Sequence, residues 1–361
     1  MNGFRFPLVW LLLFALVGHD IIVMRPVTVM GRERQRWPYF WAVVLFFPIF
    51  HLAAFGPVIG DVGGYVKFFK TFPDTWTEIW DFVKGQPSGG GFYLIEGLIK
   101  IAFGENVTAF RVILAALHSI PIVLLYRRYS ENYLISVYLF VATCSHIAWM
   151  MNGLRQFLAA VIVYVATPFM IKKKYIHAAG FVLLASTVHL SAIIMLPLIF
   201  VATGKAWNKR TIFYIILAII GMFVFSQNAA LMDLLLSGTE YENSISMWQR
   251  MGDDGVNPVR VLVSAVPVII AVVGKKQIEF AGDEVDDFLI NMSIVNLGIY
   301  LIAMVTSGIM VGRLPAYTGL YNHILLPNLL GTVFEKESER LLTWLLVFFY
   351  LIYFWYAGGF R

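Results

Sequence analysis

Apolar residues fall along this chain in long runs. Runs of spanning or half-spanning length occupy about 7–24, 38–58, 107–126, 132–150, 154–171, 175–188, 190–203, 211–227, 259–274, 288–311, 314–333 and 341–357. A helix needs about 20 apolar residues to cross a bilayer. The pattern therefore predicts an all-α, polytopic integral membrane protein with about twelve transmembrane or half-spanning helices. The runs 175–188 and 190–203 are short, and read either as two short spans or as one long helix with a break. Met1 to Met24 has the apolar core of a signal peptide, but Gly18-His19-Asp20 follows it in place of a small-residue cleavage pattern, so it is kept as a first span. There is no internal repeat, low-complexity tract or soluble domain, and residues 1–361 read as a single polytopic domain.

The residues between the runs set the orientation. Arg25/Arg32/Arg34/Arg36, Arg127/Arg128, Lys172/Lys173/Lys174, Lys205/Lys209/Arg210, Lys275/Lys276 and Lys336/Arg340 occupy alternate loops, which the positive-inside rule assigns to the cytoplasm. That regularity favours a there-and-back pair over 175–203 and places both chain ends outside. The external side then carries two long loops. One, 59–106, is rich in Gly, Asp and aromatics and contains a short apolar piece at 92–103, too short to span and expected to be re-entrant or interfacial. The other, 228–258, holds Glu240, Glu242, Trp248, Arg250, Asp253 and Asp254.

Composition agrees. Of 361 residues 59% are hydrophobic and 14% charged, against roughly 25% charged in soluble domains. The 30 Phe, 17 Tyr and 10 Trp suit a bilayer-embedded protein with interfacial anchors. The net charge of +5 lies largely in short loops, where it sets topology and implies no nucleic acid. The one cysteine, Cys144, lies inside an apolar run, which excludes a disulfide framework and a thiolate metal cluster. No nucleotide-binding P-loop, dinucleotide fingerprint or zinc-protease motif occurs. No metal or cofactor is expected, and the energy for a reaction would come from the substrate or a gradient.

Candidate chemistry gathers at the outer ends of the runs. Arg155, Arg260 and Arg313 begin apolar segments on the external side, against the positive-inside preference, with Arg111 a weaker fourth. Each reads either as a snorkelling anchor for headgroups or as part of a shared anion site, since a guanidinium grips phosphate oxygens bidentately. His189 and Ser191 interrupt the apolar stretch over 175–203. The histidine is a candidate base or a helix-break residue bonded to a freed carbonyl, with Ser191 doing the same. Asp61 in a Gly-rich segment is a candidate base or a turn aspartate. Gly252-Asp253-Asp254-Gly255 reads as a cation loop or a solvated turn. Glu96, inside the short apolar piece, is either paired with a cation or functional.

The segment Asn152-Gly153-Leu154-Arg155-Gln156-Phe157-Leu158-Ala159, then Lys172-Lys173-Lys174, then His189-x-Ser191-Ala192, resembles the central signature of EpsG-like, Wzy-type polysaccharide polymerases. Gly60-Asp61-x-x-x-Tyr65-x-x-x-Phe69 with the later Gly91-Phe92, and Arg313-Leu314-x-x-Tyr317 with Leu325-Leu326-Pro327, resemble that family's early and late external segments. The chain departs from the pattern at Phe55–Ile59, where the family often carries a charge, and at Ser88-Gly89-Gly90, where it often carries an acid. The resemblance implies a glycosyltransferase-C-like helical bundle in the bacterial cytoplasmic (inner) membrane, with its active site facing the periplasm or exterior. It implies a glycosyltransferase that moves a growing chain from undecaprenyl pyrophosphate to a hydroxyl of the next lipid-linked oligosaccharide, beside a flippase and a chain-length regulator. Arg155, Arg260 and Arg313 would then hold pyrophosphate. His189 or Asp61 would be the base, and Tyr65, Tyr317, Gln156 and Ser191 would meet substrate. Two other classes fit less fully: an O-antigen ligase-like enzyme sharing the donor, and a transporter or flippase for lipid-linked sugars, for which inverted repeats are absent. An acyltransferase would need its histidine on the opposite, cytoplasmic side.

Overall fold

Helix boundaries in the computed structural model follow the chain's capping chemistry. The side chains of Asn106 and Asn132 accept from the amides of Ala109 (3.0 Å) and Ile135 (3.2 Å), opening two of the helices. The structure describes residues 5–58, 60–227, 230–238 and 242–359. Ile59, Glu240 and its two neighbours, residues 228–229 and both chain ends lie outside the described residues. The chain is 78% helical. It divides into two compact units, residues 1–196 with 335–361, and residues 197–334.

The first unit runs through α1 (Arg5–Ile21), a hairpin of β1 (Arg25–Val29) and β2 (Arg32–Arg36), α2 (Tyr39–Phe55), α3 (Asp61–Thr71), α4 (Trp76–Lys84) and α5 (Gly90–Phe103). It continues with α6 (Val107–Tyr129), α7 (Tyr133–Ala142), α8 (Ser145–Asn152), α9 (Leu154–Val165), α10 (Thr167–Ile171) and α11 (Tyr175–Val188). The C-terminal helix Lys336–Tyr356 also belongs to this unit and packs on α7. α6 packs against α2 and α9, and α9 against α11; α5 lies on α4, α6 and α11.

Two features depart from the sequence reading of this unit. The basic stretch after α1, expected as a plain loop, is an antiparallel hairpin with Val29 opposite Arg32. Its two-residue turn, Met30-Gly31, has positive φ at both positions (49° and 82°), as the primed turns of tight hairpins require. Arg36 from β2 is 2% exposed. It donates to both carboxylate oxygens of Glu131, at 3.0 and 3.1 Å, and to the Arg128 carbonyl, at 3.1 Å. The run 132–150, expected as one span, is two helices, α7 and α8, meeting at 67°. Cys144 starts the second of them at φ 60°.

The second unit begins within the helix α12 (Met195–Ala202) and contains α13 (Lys209–Gln227), α14 (Ala230–Leu235), α15 (Ser244–Arg250), α16 (Pro258–Val273) and α17 (Lys275–Ala281). Then come α18 (Glu284–Val305), a 3-10 helix (Val311–Tyr317) and α19 (Leu320–Val333). α18 is its centre, opened by a capping box in which Asp283 and Asp286 each accept from the other's backbone amide. α13, α16, α19 and the 3-10 helix pack around it. Inside, Asn296 donates to Ser264 Oγ and accepts from Thr318 Oγ1, both at 2.8 Å, so this buried amide is satisfied.

Among the described residues four helices are long and apolar enough to cross a membrane, or six if each of two bent pairs is one span. Five further apolar helices have 10–17 residues. Full-length candidates therefore number four to six by length and composition, and the remaining apolar runs are built as short or bent helices; the expected total of about twelve, which included half-spanning helices, is not established by this count.

Candidate functional site

Three stretches far apart in the chain meet in the first unit, and glycine permits each meeting. Gly60, at φ 63°, precedes α3, and a Cβ there would overlap the Asn152 carboxamide oxygen. Gly89, at φ 77°, precedes α5, and a Cβ there would overlap the Arg155 guanidinium. Gly91 lies against Thr187 of α11 in the same way. The Gly60-Asp61 turn, the Gly89–Phe92 turn and the Asn152–Arg155 segment are therefore neighbours.

Between them lies a cavity of about 330 Å³ lined by Asp61, Gly64, Tyr65 and Phe68 of α3, Phe92 and Tyr93 of α5, and Arg155 of α9. Arg155 Nη1 donates to Tyr93 Oη at 3.2 Å. Its guanidinium carbon is 5.1 Å from the Tyr93 ring centre and 5.9 Å from that of Phe92, within cation–π range. Tyr65 meets Phe92 edge-on at 5.9 Å. Arg155 Nε is buried and has no hydrogen-bond partner among the described residues. Gly89 offers α5 no side-chain cap, so the helix dipole adds positive character beside the guanidinium. A cation, a helix start without a side-chain cap, aromatic faces and one exposed carboxylate, that of Asp61, suit an anion carrying sugars.

Beneath the cavity, α5 carries Glu96, 1% exposed, and Lys100, 3% exposed. Lys100 Nζ donates to the carbonyls of Phe69 (3.1 Å) and Lys70 (2.7 Å). Both Glu96 oxygens are buried without a hydrogen-bond partner among the described residues. Burial pushes the Glu96 carboxyl up to about 8, against the opposing pull of Arg155 and then Lys100.

The cavity thus brings together Asp61, Tyr65 and Arg155. Gln156, next to Arg155, is buried. His189 is half-buried in an extended residue between α11 and a 3-10 turn, with Nδ1 2.8 Å from Ser191 Oγ; neither residue lines the cavity. In the second unit, Arg260 is half-buried in the first turn of α16, Arg313 is exposed in the 3-10 helix, and Tyr317 is fully buried. Arg111 donates to the carbonyls of Ala53 (3.2 Å) and Gly56 (2.7 Å), closing the end of α2. Asp253 is a built turn residue: its carboxylate accepts from Ser307 Oγ and the amides of Gly255, Gly308 and Ile309. Sequence reasoning did not single out Phe68, Tyr93 or Gly89. For the last two the available signal was a triple glycine followed by two aromatics.

A family model described as the EpsG family matches residues 38–358. No curated protein and no solved structure matches the chain.

Proposed function

The chain belongs to the EpsG family, a Wzy-like polysaccharide polymerase family, and on that premise we propose that it joins oligosaccharide repeats carried on undecaprenyl pyrophosphate at the outer face of the bacterial cytoplasmic membrane. The observation that carries this reading is the cavity in which Arg155, Asp61 and Tyr65 meet. In the reaction an acceptor sugar hydroxyl attacks the anomeric carbon of the lipid-linked chain. The bond from that carbon to the pyrophosphate oxygen breaks, and its electron pair leaves with the lipid pyrophosphate. Arg155, beside the uncapped start of α5, stabilises that growing charge. The hydroxyl proton passes to Asp61, preferred over His189 because Asp61 lines the cavity and His189 does not. Tyr65, Phe92 and Tyr93 present the aromatic surface on which sugar rings pack. The pyrophosphate bond is already activated, so no nucleotide takes part.

The test is polymerisation of purified lipid-pyrophosphate-linked repeats by Arg155→Ala and Asp61→Asn proteins. The expected result is loss of the ladder of products in both. Wild-type ladders from both variants at equal protein level would sink the assignment. A single addition by the wild-type protein would make it a ligase instead.

A further inference from the structure

Glu96 takes no part in the reaction just described, yet among the described residues of the first unit it is the one carboxyl buried from solvent. It lies three residues after Tyr93 and four after Phe92, so it shares their face of α5, and both of those residues line the cavity and hold Arg155. It is 1% exposed, and neither oxygen has a hydrogen-bond donor among the described residues. An ionised carboxylate in such a place would demand a donor or a close counter-ion.

Two cations act on it, Arg155 at the start of α9 and Lys100 on its own helix. Lys100 is tied to two backbone carbonyls of α3 and lies 3.8 Å from Glu105. No other charged group among the described residues acts on Glu96: α3, across the cavity, keeps Asp61, Lys67 and Lys70 exposed. α4 presents Ile79 at Gly97 and keeps Glu78, Asp81 and Lys84 exposed. α11 presents Thr187 at Gly91, with Tyr175 and His177 at its other end. On α6, Arg111 is committed to the end of α2 and His118 to the Leu154 carbonyl at 3.2 Å.

We propose that Glu96 is a positioning residue buried behind Arg155, kept as a neutral acid so that the guanidinium's charge is free for the ligand, and that anion binding at Arg155 is coupled to retention of the Glu96 proton. The proposal rests on the reading of Arg155 as a pyrophosphate ligand. An ionised Glu96 would partly cancel Arg155. An anion beside Arg155 would in turn make Glu96 harder to ionise, and the two effects are one linkage. Burial holds the free carboxyl at about 8, so affinity is highest below that pH and falls as pH rises through it.

The experiment uses the full-length protein in lipid nanodiscs and geranyl-pyrophosphoryl-N-acetylglucosamine as probe, whose diesterified pyrophosphate keeps its charge across the range. Calorimetry of the wild type is expected to show about tenfold weaker binding at pH 9 than at pH 7, with proton uptake seen as a dependence on buffer ionisation enthalpy. Glu96→Gln is expected to bind at both pH values with wild-type neutral-pH affinity and no proton uptake. Binding that requires Arg155 but shows no pH slope and no proton uptake in the wild type would overturn the role of Glu96 and leave Arg155 as the phosphate ligand. The same slope in Glu96→Gln would do so too. Binding that persists unchanged in Arg155→Ala would overturn both.

Discussion

Arg155 and Tyr93 hold each other in two ways: Nη1 donates to the phenol oxygen at 3.2 Å, and the guanidinium carbon lies 5.1 Å from the centre of the same ring. The ring aims a long, flexible side chain at the cavity before any ligand arrives. Preorganisation of this kind is what makes a fixed charge useful to a transition state. Replacing Arg155 by Ala is expected to lower turnover by about 10²–10³. Arg155→Lys should recover little of it, because a lysine has neither the planar fork nor the ring contact. Tyr93→Phe keeps the ring and loses one hydrogen bond, so it should cost about tenfold or less. Turnover of purified lipid-linked repeats by the three variants checks the order.

Gly89 allows that arrangement. It starts α5 at φ 77° with the Arg155 guanidinium where a Cβ would go. Gly89→Ala therefore meets both backbone strain, about 1–2 kcal/mol, and a displaced arginine. Activity is expected to fall as in Arg155→Ala, while the thermal midpoint moves by only a few degrees. Gly104, also at positive φ (63°) but with open space around its Cβ position, is the control: alanine there should share the strain and keep the activity.

Charges were the legible part of this site. Asp61 and Arg155 stand at the ends of apolar runs, where burial or a ligand must explain them, and both line the cavity. Tyr93 was hidden because an aromatic inside a short apolar piece looks like any interfacial ring. The bend between α7 and α8 was hidden for a different reason: it turns on Cys144 at φ 60°, and nothing about a cysteine announces a left-handed backbone. The hairpin was obscured by its composition. Arg32, Arg34 and Arg36 read as topology-setting charge, yet Arg36 is an interior ion-pair residue.

That ion pair yields a stability prediction. Glu131 accepts both Arg36 guanidinium nitrogens and also pairs with Arg34. Arg36 is 2% exposed, so removing its partner leaves a buried cation. Glu131→Gln is expected to destabilise the first unit by about 1–3 kcal/mol. Glu131 is itself 39% exposed, which keeps the effect below that of a fully interior pair. Thermal unfolding in detergent measures it. Because Arg36 is shielded, added salt should change the wild-type midpoint little.

Asp253 clamps a turn of the second unit just ahead of the 3-10 helix that carries Arg313. Its carboxylate accepts from Ser307 Oγ at 2.5 Å and from the amides of Gly308 (2.8 Å), Ile309 (3.1 Å) and Gly255 (3.2 Å). Partial burial works against the charge, but these hydrogen bonds together outweigh it and hold the carboxyl below its usual range. A depressed carboxyl stabilises the fold above the unfolded value near 3.9, and the contribution fades as pH falls below that value through the folded one. Neutral and alkaline pH should therefore leave the turn closed, and acid should open it. Asp253→Ala removes the acceptor at every pH. It is expected to loosen the turn by about 2 kcal/mol, seen as roughly thirtyfold faster hydrogen exchange at the Gly308 and Ile309 amides. Unchanged exchange at both amides in Asp253→Ala would mean that the turn is held by its packing and not by the carboxylate.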